Sequence, residues 1–218
     1  MRYTPIVPAV IPASKEAIID FSEKLRFSRE FHLDIVDGRF VQTVSWPYQP
    51  IGEPMSVKSY LDSYTLEVDL MVAEPIKAAN EWIEAGADML VFHVETLSLD
   101  EFVNFESSTT VSVGVSAHGD TPLDTLISYA KHADYIQLMG IYEIGSQGQP
   151  FDEAVITKIE VLKKHFPEKS ITIDGSVNKD TIKKLYIAGA DRFICGSAIV
   201  LQENPEIAHA SLQALIND

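Results

Sequence analysis

Phe31-His32-Leu33-Asp34-Ile35-Val36 alternates apolar and polar side chains along a β-rich run. A period of two puts Leu33 and Ile35 on one face of a strand and His32 and Asp34 on the other. The pattern recurs twice. In Leu66–Val72, Val68 and Leu70 alternate with Glu67, Asp69 and Met71; in Ile171–Asp174, Ile171 and Ile173 alternate with Thr172 and Asp174. Further strands are read at Ile6–Val10, Met89–Val94, Val111–Ser116, Tyr135–Met139 and Arg192–Cys195. Helical patterns lie between them at Lys15–Leu25, Pro75–Ala85, Pro122–His132, Phe151–His165, Lys179–Ala188 and Pro205–Ile216, with a weaker one at Met55–Asp62. Pro75, Pro122 and Pro205 stand where a first helical turn tolerates a residue without an N–H. Strands alternating with helices imply a parallel sheet covered on its faces, either a closed (β/α)8 barrel or a doubly wound open sheet.

Composition narrows the function classes. The 218 residues carry 17 basic and 32 acidic side chains, a formal charge of −15. Such a surface repels phosphate backbones and anionic lipid, so no nucleic-acid and no membrane partner is expected. The longest mostly apolar run, Phe193 to Leu201, is far short of the ~18 residues a membrane span needs. Pro8 and Pro12 interrupt the apolar Ile6–Ile11 stretch, which argues against a secretory signal. The single cysteine, Cys195, cannot form an internal disulfide and reads as a small core residue; a cytoplasmic location is expected. No linker or second composition zone appears, so residues 1–218 are read as one domain. No glycine-rich dinucleotide fingerprint follows the first strand. Ala85-Gly86-Ala87-Asp88 and Ala188-Gly189-Ala190-Asp191 lie 103 positions apart. That spacing suits either a two-fold repeat of half-barrels or the general look of helix-to-strand junctions.

The apolar faces must meet the helices, the larger hydrophobic layer, so in a barrel the polar faces point inward toward the C-terminal mouth. His32, Asp34, Asp69 and Asp174 then share one small space. Close carboxylates cannot all ionise without a compensating charge. A divalent metal relieves that repulsion, and His with Asp suits Zn²⁺, Mn²⁺ or Fe²⁺.

These residues resemble the ribulose-phosphate 3-epimerase family, and the resemblance runs from about Ile6 to Leu201. His32-Leu-Asp34-Ile-Val-Asp37-Gly38-Arg39-Phe40-Val41 is similar to that family's H-x-D-x-M-D-G-x-F-V segment. Glu67-Val-Asp69-Leu-Met71-Val resembles D-V-H-L-M-V, and Phe92-His93-Val-Glu95 resembles F-H-x-E. Thr121-Pro122-Leu123, Ile173-Asp174-Gly175-Ser176-Val177-Asn178 and Gly196-Ser197-Ala198-Ile199 follow in the family's order. The resemblance implies the closed (β/α)8 TIM barrel. It also implies an isomerase of carbohydrate metabolism that inverts C3 of a pentose phosphate or related ketose phosphate. By motif, His32, Asp34 and Asp174 match metal ligands, with Asp69 at the fourth ligand position. Asp34 and Asp174 match the pair that carries protons. Phosphate is expected on backbone N–H groups of three loops, at Gly145, Gly148 and Gln149, at Gly175 and Ser176, and at Gly196 and Ser197. Met71, Met139 and His118 are candidate substrate contacts. Homo-oligomers are usual in the family; of the two readings of Trp46 and Tyr48 in the proline-rich loop, a lid or a contact between copies, the contact is preferred.

Several departures fall inside the implied site. Asp69 stands where the family has its second metal histidine, Ala9 where it has a serine, and His118-Gly119 where it has asparagine-proline. The segment after the sixth strand, Gly140-Ile141-Tyr142-Glu143-Ile144-Gly145-Ser146-Gln147-Gly148-Gln149, loses a proline and a glycine. One histidine and three aspartates carry a formal charge of −3, which favours harder ions such as Mn²⁺ or Mg²⁺, a protonated Asp69, or no metal. Two other readings stay open at this point. One is enolate chemistry of the aldol or decarboxylase type, although related enzymes use a lysine where Met71 stands. The other is a barrel that binds without catalysis, which the retained Asp34, Asp37 and Asp174 disfavour.

Overall fold

Eight parallel strands follow one another around a closed barrel, each hydrogen-bonded to the next and the last to the first, in a computed structural model describing residues 5–146 and 148–217. The strands are β1 Ile6–Val10, β2 Glu30–Val36, β3 Thr65–Met71, β4 Met89–His93, β5 Ser112–Ser116, β6 Tyr135–Met139, β7 Ser170–Asp174 and β8 Arg192–Cys195. The intervening helices are α1 Lys15–Lys24, α2 Lys58–Leu61, α3 Pro75–Glu84, α4 Leu99–Ser108, α5 Leu123–Ala130, α6 Ala154–His165, α7 Ile182–Ala188, α8 Ser197–Val200 and α9 Pro205–Asn217. The open-sheet alternative is thereby excluded. Gln147, in the loop read as a phosphate cradle, lies outside the described residues.

Period two sorts the strands as the sequence predicts. Leu33, Ile35, Val68, Leu70, Ile171 and Ile173 are fully buried in the core between sheet and helices. Trp82, Phe92 and Phe102 fill the same layer. Inside the barrel the apolar content is small: Val7, Ala9 and Ile194 make one cluster. Val36, Met71, Met139, Ile141 and Ile144 make another. Much of the rest of the interior is polar and buried, including His32, Glu67, Asp69, His93, Gln137 and Thr172.

Local signals explain the helix boundaries. The Ser14 hydroxyl accepts the Ala17 N–H at 3.2 Å and starts α1. Helices α3 and α9 open on Pro75 and Pro205. Helix α4 is absent from the helices read in the sequence, yet it starts with a reciprocal capping box. Ser98 Oγ accepts the Glu101 N–H, and Glu101 Oε2 accepts the Ser98 N–H at 2.8 Å. The Ser-x-x-Glu spacing was the available signal.

The two Ala-Gly-Ala-Asp segments sit at matching junctions, and their aspartates do the same work. Asp88 accepts the N–H of Leu66 and Asp191 that of Ile171, each at 2.8 Å. Asp134 accepts the Val113 N–H in the same way, at 2.8 Å. The echo is therefore a recurring strand-start device at β3, β5 and β7, and is not peculiar to half-barrels. One expectation is corrected. Trp46, read as a contact between copies, is 2% exposed within its own chain and packs edge-on against Trp82 at 6.1 Å. Its apolar ring completes the core over α3 and is not available to a partner. Cys195 is a buried core residue, as expected.

Candidate active site

The barrel interior is stacked in two polar layers that share one residue. In the lower layer β8 supplies Arg192, a cation in a strand otherwise apolar. Its guanidinium contacts Glu67 Oε2 at 2.6 Å and Glu30 Oε2 at 2.8 Å. Tyr135 donates to Glu67 Oε1 at 2.7 Å. His32 Nδ1 lies 2.6 Å from Glu67 Oε2. Burial alone would raise the Glu67 pKa; Arg192 and His32 outweigh it and hold the carboxyl well below the usual range.

His32 carries the network upward. Its Nε2 lies 3.2 Å from Asp34 Oδ1, in the layer formed by Asp34, Asp69 and Asp174. Strand register places Asp34 beside Asp69 on β2 and β3, and Met139 beside Asp174 on β6 and β7. One donor atom from each of His32, Asp34, Asp69 and Asp174 lies within 4.8 Å of the others. Asp69 Oδ1 is 2.9 Å from His93 Nε2, and Asp69 Oδ2 accepts from Gln137 Nε2 at 2.7 Å.

The electrostatics follow from burial and, after it, from close like charges. Burial is the main cause that raises the Asp174 pKa well above the ordinary value, and the Asp34 charge adds to it. Burial also raises Asp34, with His32 opposing. Burial would lower the His32 pKa, but Glu67 and Asp34 lift it well above normal, so the imidazole holds a proton between them. The cluster thus already demands positive charge. One imidazole nitrogen and three carboxylates converging on a buried point are a donor set a divalent cation fits.

Asp34 and Asp174 open upward into a cavity of about 410 Å³, a size suited to a small ligand. Met71 and Met139 form part of its apolar wall. Gly145, Gly148 and Gln149 after β6, Gly175 and Ser176 after β7, and Gly196 and Ser197 after β8 form its rim. Close backbone approach shapes this rim. A Cβ on Gly140 would stand 2.3 Å from the Gly175 carbonyl oxygen, while the Gly140 N–H donates to Asp174 O at 2.6 Å. Ser176, at φ 51, donates its hydroxyl to the Gln149 carbonyl and ties the β7 loop to the β6 loop.

His32 and Asp69 sit beneath the cavity and do not line it. His118 is the sequence candidate that stands apart. Its ring packs against Tyr142 at 5.7 Å, and its backbone N–H is held by Glu95 at 2.8 Å, outside the cavity. Sequence reasoning missed Arg192, Tyr135 and Gln137 and gave Glu67 no role. Parity puts His93 at the β4 mouth, either as a residue backing the site or as a hydrogen-bonded core histidine, and its contact with Asp69 puts it behind the site. The signal was present. The same period-two rule that exposed His32 and Asp34 turns Tyr135, Gln137 and Met139 inward on β6, and Arg192 on β8.

Comparison with known proteins agrees with this geometry. The model of the ribulose-phosphate 3 epimerase family matches residues 6–200. The ribulose-phosphate 3-epimerase of Mycobacterium leprae is 30% identical over 215 residues, covering 95% of this chain and 93% of that protein. The Schizosaccharomyces pombe protein of the same name is 29% identical over 181 residues, 80% of this chain and 76% of its own. Among solved structures, KGPDC of Streptococcus mutans in complex with D-R5P superposes with a TM-score of 0.76 at 14% identity, covering 98% of this chain and 97% of that one. A 3-hexulose-6-phosphate synthase gives 0.71 at 17%, covering 97% and 99%. These two likenesses show the barrel alone. The family match over nearly the whole chain shows more: the protein belongs to the ribulose-phosphate 3-epimerase family of isomerases.

Proposed function

We propose that the protein inverts C3 of a ketose phosphate, ribulose 5-phosphate and xylulose 5-phosphate being the first pair to test. The observation that carries this reading is the pair Asp34 and Asp174. They reach one cavity from β2 and β7, and burial, helped by the neighbouring carboxylates, raises the pKa of both. Two such carboxylates share a proton more readily than both ionise. One enters the reaction as a base and the other as an acid. The base takes the proton from C3 and leaves an enediolate; the acid returns a proton to the opposite face of the same carbon. The net change is inversion, and the pair ends with its protonation exchanged.

The remaining residues bind and orient. Backbone N–H groups of the Gly175-Ser176 and Gly196-Ser197 loops, with Gly145, Gly148 and Gln149, would hold the phosphate, a reading supported by their lining of the cavity. Met71 and Met139 exclude water from the carbon skeleton. Asp34, Asp174, Asp69 and His32 would hold a divalent ion (Zn²⁺, Mn²⁺, Fe²⁺ or Mg²⁺), which when bound supplies positive charge beside the oxygen that becomes negative. Homo-oligomerisation, which rests on the resemblance alone, and a cytoplasmic location, which rests on the single cysteine and the proline-interrupted Ile6–Ile11 stretch, belong to the same proposal. The decarboxylase-type alternative lacks its cation here: the side chain two positions after Asp69 is Met71.

The test is exchange in D₂O. Metal-supplemented protein incubated with ribulose 5-phosphate should place deuterium at C3 and form xylulose 5-phosphate, and Asp174→Asn should abolish both. A folded native protein giving no C3 exchange with any ketose phosphate refutes the proposal.

A further inference from the structure

We infer that His93 and Gln137 are positioning residues that fix Asp69 as an oxygen ligand, and that this arrangement tilts the site toward Mn²⁺ and Mg²⁺ relative to Zn²⁺. The inference rests on the metal-site reading above and deepens it.

Asp69 is wholly buried, and each of its carboxylate oxygens already has a partner from a neighbouring region of the barrel wall. His93 Nε2 on β4 meets Oδ1 at 2.9 Å, and Gln137 Nε2 on β6 meets Oδ2 at 2.7 Å. Two contacts on opposite oxygens stop the carboxylate from rotating, yet leave each oxygen a further lone pair. That lone pair is what a cation held with His32, Asp34 and Asp174 would use.

The two supports have little other polar work. His93 Nδ1 and Gln137 Oε1 are buried and lack a hydrogen-bond partner among the described residues. The His93 ring is wedged against Phe40 at 5.3 Å. A buried imidazole and a buried amide, each with an unpartnered atom, are costly to keep in a barrel. Their common target is Asp69. Groups that orient a ligating side chain in this way set metal affinity, and removing one typically weakens it about 10- to 100-fold.

Ligand type sets the second half of the inference. Zn²⁺ outranks Mn²⁺ at nearly any nitrogen or oxygen site, so the diagnostic quantity is the ratio of the two affinities. Carboxylate oxygen suits Mn²⁺ and Mg²⁺, whereas imidazole suits Zn²⁺. With Asp69 the donor set is one nitrogen and three carboxylates. A histidine at this position would make it two and two.

The experiment uses full-length protein stripped with a chelator and contains no sugar. Mn²⁺ is titrated calorimetrically and by electron paramagnetic resonance, then competed with Zn²⁺. The native protein should bind one Mn²⁺ with an anisotropic protein-bound spectrum. His93→Leu and Gln137→Leu should each weaken Mn²⁺ by about 10- to 100-fold. His93→Gln, which keeps an N–H donor, should recover much of the loss. Asp69→His should raise the Zn²⁺-to-Mn²⁺ affinity ratio by about tenfold or more. If His93→Leu fails to fold, Gln137→Leu and the His93→Gln spectrum carry the test. Native protein that binds no Mn²⁺, a Gln137→Leu affinity equal to native, or an unchanged ratio in Asp69→His overturns the inference. Mn²⁺ binding as stated without C3 exchange would remove the epimerase proposal and leave this one standing.

Discussion

Arg192→Met tests whether the floor of the barrel is held by a desolvated ion cluster. The substitution keeps side-chain length and apolar volume but removes the guanidinium that faces Glu67 at 2.6 Å and Glu30 at 2.8 Å. Glu30 is 20% exposed at its side chain and can hydrate; Glu67 is fully buried and cannot. What remains for Glu67 is His32 and the Tyr135 hydroxyl. Breaking a buried pair from one side costs about 3–5 kcal/mol. For a chain of this length that corresponds to a fall in Tm of about 6–20 °C. The sign with pH is also fixed. The Glu67 pKa is depressed in the fold, so its contribution is present above the unfolded value of 4.5 and is lost as pH falls through the folded value. Without Arg192 the depression shrinks, Glu67 takes a proton at higher pH, and the Tm gap between variant and native narrows on acidification. Calorimetry of chelator-treated protein from pH 7.5 downward, with Glu67→Gln and the double variant, completes the cycle. The double variant should be more stable than Arg192→Met alone, because it leaves no unpaired charge. A loss under about 1 kcal/mol for Arg192→Met at neutral pH, or a gap that widens on acidification, refutes the argument.

Three shorter predictions follow from the mouth and the outer layer. In metal-free protein the raised pKa of Asp174 means its stabilising contribution is complete below 3.8 and is lost as pH rises through the folded value. Asp174→Asn should therefore raise the neutral-pH stability of the stripped protein by about 0.5–2 kcal/mol and flatten its pH slope, read by thermal melts. Gly140→Ala would drive a methyl to 2.3 Å from the Gly175 carbonyl, backbone against which it cannot yield cheaply. The shift falls on the Asp174 end of β7, so C3 exchange should drop about 100-fold while circular dichroism stays barrel-like. Ser98→Ala removes the α4 capping box and should cost about 1 kcal/mol, a Tm fall of about 2–4 °C, with exchange rates unchanged.

The fold was legible because inward and outward residues of β2, β3 and β7 differ so sharply in chemistry. Leu33, Ile35, Val68 and Leu70 against His32, Asp34 and Asp69 leave one consistent assignment of faces. The same rule was not pressed on β6 and β8. Tyr135 and Gln137 sit among aliphatic neighbours, and Arg192 stands at a strand edge where a solvated cation is the ordinary reading. What parity cannot give is height. It places Glu67 and Asp69 on the same face, but only the stagger of strands around the barrel puts one beside Arg192 and the other beside His93 and Gln137. Helix α4 escaped for another reason. Its Leu99–Ser108 stretch has two acidic residues, Asp100 and Glu101, in the first turn and two serines in the last, so its apolar stripe is narrow and its cap carries the signal. Trp46 was misplaced because a proline-rich loop reads as surface, whereas this one folds back to seat the ring on Trp82.

His32 joins two layers whose charges are balanced differently. Below it, Glu67 meets Arg192 and His32 itself, so the floor supplies its own countercharge and can be read as structural. Above it, Asp34, Asp69 and Asp174 converge with imidazoles as their only cationic partners among the described residues. A chain of net charge −15 cannot relieve that excess from its surface. Burial first, and the neighbouring carboxylates after it, raise the pKa of Asp34 and Asp174, the two that open into the cavity, while Glu67 pulls the His32 ring downward and aims Nε2 at them. Neutralising the floor and leaving the mouth short of positive charge are thus two parts of one arrangement. The ion cluster beneath holds the imidazole in place, and the unbalanced aspartates above it are the groups that would retain the proton, or take up the cation, in the proposed inversion.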